Sequence, residues 1–73
     1  MQEIRDMKTL GGLIRATRKA QKVNQTTLAQ AANVGLRFVV ELERGKPTVQ
    51  MDKLLAVVNR LGIALYAEPP KGV

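Results

Sequence analysis

The chain has 73 residues, a formal net charge of +6 and 45% hydrophobic residues, which is enough for one small domain of marginal stability. Cys and His are both absent, so disulfides, zinc-finger ligand sets and Cys- or His-based catalysis are excluded, and a second copy becomes the ordinary way to bury more surface. Ser is missing too, and the six acidic residues Glu3, Asp6, Glu41, Glu43, Asp52 and Glu68 show no paired spacing that fits a reaction, so the expectation is a non-enzyme without cofactor or metal.

Residues 1–8 are polar and mixed in charge and read as a flexible lead. They lack the basic, apolar, small-residue order of a signal sequence, which points to a cytoplasmic protein. A first helix is predicted from about Leu10 to Gln21, with Thr9 as N-cap. At 100° per residue Leu10, Leu13, Ile14, Thr17 and Ala20 share one arc, and Arg15, Arg18, Lys19 and Lys22 the opposite one. Gly11 and Gly12 weaken its first turn by about 1 kcal/mol each relative to Ala if they are helical. Val23 is apolar and enters the core just before the second helix.

From Asn24 to Gly45 the sequence NQTTLAQAANVGLRFVVELERG reads as two short helices and a tight turn. The first is opened by Asn24 and Gln25, turns Leu28, Ala29 and Ala32 inward and stops near Asn33. The other starts after Gly35, turns Phe38, Val39 and Leu42 inward and stops at Gly45. Helices this short, joined by so few residues, must cross steeply. The crossing frees the first turn of the second to project into a DNA major groove. In a cytoplasmic chain the sequon at Asn24 is a coincidence.

Lys46 and Pro47 end that unit, and a fourth helix follows from about Val49 or Met51 to Leu61, with Leu54, Leu55, Val58 and Leu61 buried and Gly62 as its stop. Ile63, Leu65 and Ala67 then alternate with Ala64, Tyr66 and Glu68, which is a strand period. A lone strand has nothing in its own chain to pair with. The simplest solution is the same strand of a second copy about a two-fold axis, with Ile63, Ala64, Leu65, Tyr66 and Ala67 at the dimer contact. The other solution is an extended tail packed on the helices. The domain plan is therefore a lead at 1–8, a DNA-binding unit at 9–62, a dimerisation strand at 63–68 and a tail at 69–73. No apolar run reaches the ~20 residues of a membrane span.

The pattern Gln25, Leu28-Ala29 and Glu43-Arg44-Gly45 resembles the helix-turn-helix of the Xre / lambda-repressor-like family, over roughly Leu10 to Glu68. The resemblance implies an all-α fold, a lambda-repressor-like four-helix bundle, here with a short C-terminal β-strand pairing between subunits of a dimer. Lys22 stands where the family usually has Gly in a left-handed conformation. Gly35 stands where it commonly has a Ser or Thr N-cap, so one hydroxyl contact is lost. An Arg at the position of Arg18 commonly pairs in the family with the Glu that maps onto Glu43, which implies a structural ion pair between them.

Helix-turn-helix binding separates contacts that position from contacts that read. Gln25 and Thr26 at the start of the second helix, together with Arg44 and Lys46 past the recognition helix, are the positioning candidates. Arg15, Lys19 and Lys22 read mainly as a solvated helix face, with a longer-range contribution to phosphate positioning as the alternative. The exposed helix N-terminus at Gly35 can still face a phosphate, and Leu36, Arg37, Val40 and Glu41 form the reading surface. Arg37 can bridge guanine O6 and N7, Leu36 and Val40 can meet thymine methyls, and Glu41 can accept from a cytosine amine. A phosphate contact is the equal alternative for Arg37. A two-fold dimer implies a palindromic operator in double-stranded DNA, with half-sites ~34 Å apart.

The string LERGKPTVQMDKLLAVVNRLGIAL further resembles short regulators of the HipB type. That implies an antitoxin which represses its own operon and holds a HipA-like kinase toxin in check. The alternatives are a stand-alone Xre-family regulator without a toxin, and an interaction module that neutralises a toxin without binding DNA.

Overall fold

In the computed structural model, which describes residues 2–72, four helices follow one another: α1 (Met7–Ala20), α2 (Gln25–Ala32), α3 (Leu36–Glu43) and α4 (Met51–Leu61). The helix α3 packs on α1 and α2, and α4 packs on the same two. Their inner faces meet in one core. Leu10 and Ile14 come from α1, Leu28 and Ala29 from α2, Val39 and Leu42 from α3, and Leu54, Val57, Val58 and Leu61 from α4. Lys53 Nζ lies 6.0 Å over the Phe38 ring and ties the outer edges of α3 and α4 together.

α1 begins three residues earlier than the sequence pattern suggested. Asp6, not Thr9, is the N-cap, and its Oδ1 accepts from the Thr9 amide at 2.7 Å. That bond holds the Asp6 carboxyl below its usual range, so the cap weakens only in acid, as pH falls through the unfolded and then the folded carboxylate range. Both residues are capping types, and the one further out wins because it meets the N3 amide. The Thr9 to Lys8 boundary drawn between lead and domain therefore falls inside a helix.

The buried stripe of α1 also differs from the expected arc. Leu10, Gly11, Ile14 and Arg18 are buried, whereas Leu13 and Thr17 are half-buried and Ala20 is exposed. The stripe is turned by about 70° toward Arg18. Two residues cause this. Gly11 has no side chain to register in an apolar pattern, and Arg18 is charged yet buried against a partner.

Between α1 and α2, Lys22 takes a left-handed conformation, φ 59°, and its amide donates to the Lys19 carbonyl at 2.9 Å. Lys22→Gly is expected to raise stability by up to about 1 kcal/mol, since relief of the left-handed strain outweighs glycine's extra freedom in the unfolded chain. A thermal melt at or below that of wild type would show that the strain is already compensated.

α2 is capped by Asn24, whose Oδ1 accepts from the Thr27 amide at 2.7 Å, and it closes at Asn33 in a left-handed turn, φ 57°. α3 has no side-chain cap because Gly35 offers none. In α4 the buried set is Leu54, Val57, Val58 and Leu61, and Leu55 is 40% exposed. Leu55 and Val57 are both apolar, so periodicity alone did not decide between them. The contact with α1 and α2 selects Val57. Gly62, φ 78°, ends the helix, and the next amide, Ile63 N, donates back to the Val58 carbonyl at 2.9 Å.

Ile63 packs against the core, but among the described residues no strand forms. Residues 64–68 are exposed, make no backbone hydrogen bond to the rest of the chain, and leave Tyr66 77% exposed. The single chain has no edge on which that segment could pair.

Candidate nucleic-acid interface

α3 is amphipathic, and its inner residues Val39 and Leu42 fix which face points outward. Leu36, at its first position, is 47% exposed. The next residue, Arg37, has a side chain 91% exposed, with Nε 3.7 Å from Glu41 Oε2 one turn on. Lys46 Nζ lies 3.4 Å from the other Glu41 oxygen. Glu41 thus sits between two cations in the free protein, and an exposed pair of this kind contributes little to stability. It does hold two donors near the face of α3. The i,i+4 spacing of Arg37 and Glu41 was readable from the sequence and was not used.

Behind that face lies a buried polar hub. Arg18 Nε donates to Glu43 Oε2 at 2.7 Å, and Nη2 donates to Oε1 at 3.0 Å. The remaining Arg18 nitrogen, Nη1, donates to the Val23 carbonyl at 2.8 Å. Glu43 holds the guanidinium above its ordinary pKa through these bonds. The pair joins the middle of α1 to the end of α3 and sets the height of the recognition helix above α1. Gln25 Nε2 donates to Glu43 Oε1 at 3.1 Å, so the residue singled out for a phosphate is also tied to the hub.

Gln25, Glu43 and Val40 line a cleft whose remaining walls are Arg15 of α1 and Arg44, the C-cap of α3. Val40 is half-buried and faces this cleft, which makes it less available to a base than Leu36 or Arg37. Thr26, Gly35 and Lys46 are exposed, at the starts of α2 and α3 and past the end of α3. Arg15, read mainly as solvated helix face with a longer-range phosphate contribution as the alternative, is exposed and also lines this cleft. The signal that places it is its spacing from Gly11, since residues four apart on a helix share a face, and Gly11 is where α1 touches the end of α3.

The Helix-turn-helix family profile matches residues 14–66. The chain belongs to the helix-turn-helix family. An HTH-type transcriptional regulator, y4mF of Sinorhizobium fredii (strain NBRC 101917 / NGR234), itself uncharacterised, is 50% identical over 56 residues, covering 77% of this chain and 74% of that protein. The immunity repressor protein of Bacillus phage phi105 is 36% identical over 59 residues, covering 81% of this chain but only 41% of the phage protein. Among solved structures, the clp gene regulator ClgR from C. glutamicum superposes with TM-score 0.71 at 32% identity, over 85% of this chain and 80% of that one. HipB in the HipA-HipB-O2-O3 complex gives TM-score 0.86 at 14% identity, over 97% of this chain and 100% of the other, a likeness of fold. By membership, then, this helix-turn-helix protein is a transcriptional regulator of the DNA-binding class.

Proposed function

We propose that this helix-turn-helix protein is a cytoplasmic repressor that binds a palindromic operator as a homodimer and serves as the antitoxin of a HipA-like kinase. The observation that carries the DNA reading is Arg37, almost fully exposed at the first turn of α3 while Val39 and Leu42 anchor that helix from behind. Leu36 and Arg37 read bases from this turn, and the positioning groups Gln25, Arg44 and Lys46 flank it. The fold likeness to HipB, in structures described as a HipA-HipB-O2-O3 complex and a HipB-O4 20mer complex, supports a HipB-type partner and operator. The dimer is supported by apolar side chains left uncovered in one copy: Met51 and Leu55 on α4, and Leu65 and Tyr66 after it. Pairing of residues 63–68 across a two-fold axis would satisfy their backbone groups and cover Leu65.

A second reading, a stand-alone repressor with no toxin, is favoured by the phage immunity repressor among the relatives. Co-purification with the product of an adjacent kinase-like gene separates the two.

The DNA reading is tested by gel shift on the duplex upstream of its own gene. Two protomers are expected per palindrome. Arg37→Ala is expected to weaken that complex by about 10- to 100-fold, the worth of one bidentate guanine contact, and to leave binding to a random duplex unchanged. Equal weakening on both duplexes would make Arg37 a phosphate ligand and remove it from the reading surface.

A further inference from the structure

We propose that Glu41 is a positioning residue that sets specificity: its carboxylate holds Arg37 for a neutral base edge and keeps it off the DNA backbone. This role rests on the DNA reading above, in which Arg37 meets a guanine, and explains why so exposed an arginine does not grip any phosphate. The backbone places the carboxylate. Gly45, φ 84°, turns the chain back after α3, and the Lys46 amide donates to the Glu41 carbonyl at 3.1 Å. The same turn brings Lys46 Nζ to 3.4 Å from Glu41 Oε1. The other oxygen, Oε2, lies 3.7 Å from Arg37 Nε, and the Glu41 side chain is 33% exposed where that of Arg37 is 91%. The carboxylate is thus the anchored member of the group and the guanidinium the free one.

The atom that faces Glu41 matters. It is Nε, which leaves the two terminal nitrogens of Arg37 as the fork for guanine O6 and N7. A guanine can therefore be met with the ion pair intact. At 3.7 Å the pair acts through charge and not through a hydrogen bond. A phosphate is a full negative charge, so a carboxylate beside the guanidinium cancels much of its attraction and repels it directly. Guanine O6 and N7 are neutral acceptors and lose far less. Binding to random DNA consists essentially of phosphate contacts, so the penalty falls on random DNA and spares the operator. A repulsive element of this kind raises specificity without adding a contact. Lys46 is not lost to the backbone meanwhile, because its ammonium has three donors and can serve Glu41 and a phosphate together.

The test uses the full chain, the duplex upstream of its own gene and a random duplex of equal length, titrated between about 50 and 200 mM salt. Glu41→Gln is expected to steepen the logarithmic salt slope on the random duplex by about 0.9, as Arg37 takes a phosphate. Random-duplex affinity at low salt should rise by up to about 5-fold, the worth of an exposed ion pair, with operator affinity held and the operator-to-random ratio lowered by the same factor. Glu41→Asp keeps the charge and is expected to keep random binding weak. Arg37→Ala added to Glu41→Gln should remove the extra slope. Glu3→Gln, which frees Arg5 from an exposed pair on the N-terminal lead, is the control for a mere gain of positive charge and should leave the ratio near that of wild type. An unchanged random-duplex slope in Glu41→Gln, an extra slope that survives Arg37→Ala, or an equal effect of Glu3→Gln would each overturn the role given to Glu41 and leave the DNA reading standing. Loss of operator affinity with random binding unchanged would make Glu41 a base reader instead. If wild type binds no duplex, both readings fall together.

Discussion

Glu43→Ala is expected to destabilise the domain by about 3–5 kcal/mol, because it leaves the Arg18 guanidinium buried without a counter-charge. The side chains of Arg18 and Glu43 are 8% and 2% exposed, so water cannot replace the lost partner. Arg18→Ala should cost a similar amount by stranding the carboxylate, along with the Val23 carbonyl that Nη1 now satisfies. Domains of this size are stable by roughly 4–10 kcal/mol, so either change removes a large part of the total. Urea unfolding of the two single variants and the double variant Arg18→Met, Glu43→Met measures it. The double variant should be more stable than either single one, since an apolar pair of similar volume carries no stranded charge. A double variant no more stable than the single ones would mean that a stranded charge is not what destabilises them. The contribution of the raised Arg18 pKa is full below the ordinary arginine range and would be lost only as pH climbs past it, so no titration near neutrality should mimic the mutation.

This pair also shows where sequence reasoning reached and where it stopped. Helix α2 was legible because its signals are local: Asn24 caps it, Asn33 tolerates the left-handed turn that ends it, and Leu28 and Ala29 define its face. The same holds for Gly62 after α4. The rotation of α1 was not legible, because its buried stripe contains a residue with no side chain and a residue with a charged one. Periodicity counts apolar side chains, and neither Gly11 nor Arg18 contributes to that count. Pairing Arg18 with Glu43 came from resemblance, not from the helical wheel, which put Arg18 on the solvent side. The Leu55–Val57 exchange in α4 is a tertiary choice between two equally apolar positions. The segment 63–68 is different in kind. Its alternation is real in the sequence, but a strand is a property of two chains of hydrogen bonds, and one copy supplies only half of them.

Gly11→Ala is the case in which local propensity and packing predict opposite signs. Helix propensity gives a gain of about 1 kcal/mol for replacing a helical glycine by Ala. In the folded domain a Cβ on Gly11 would lie inside contact distance of the Leu42 carbonyl oxygen and 3.0 Å from the Glu43 carbonyl oxygen. Both obstacles are main chain and cannot rotate away, so relief requires α1 to move off α3. The expected outcome is a loss of about 3 kcal/mol, the upper end for overpacking. Gly12→Ala is the internal control. A Cβ there meets nothing within 4 Å, so it should gain the propensity term and stabilise by up to about 1 kcal/mol. The displacement has a functional consequence too. Arg15 lies one turn beyond Gly11, and Arg18 two turns, so backing α1 away lengthens the Arg18–Glu43 bonds and opens the Arg15–Arg44 cleft. Duplex affinity should therefore fall in Gly11→Ala at temperatures where the domain is still folded, and stay unchanged in Gly12→Ala. Equal melting temperatures for the two variants would show that α1 can slide off α3 without cost, and the close approach at Gly11 would then not set the spacing of the two helices.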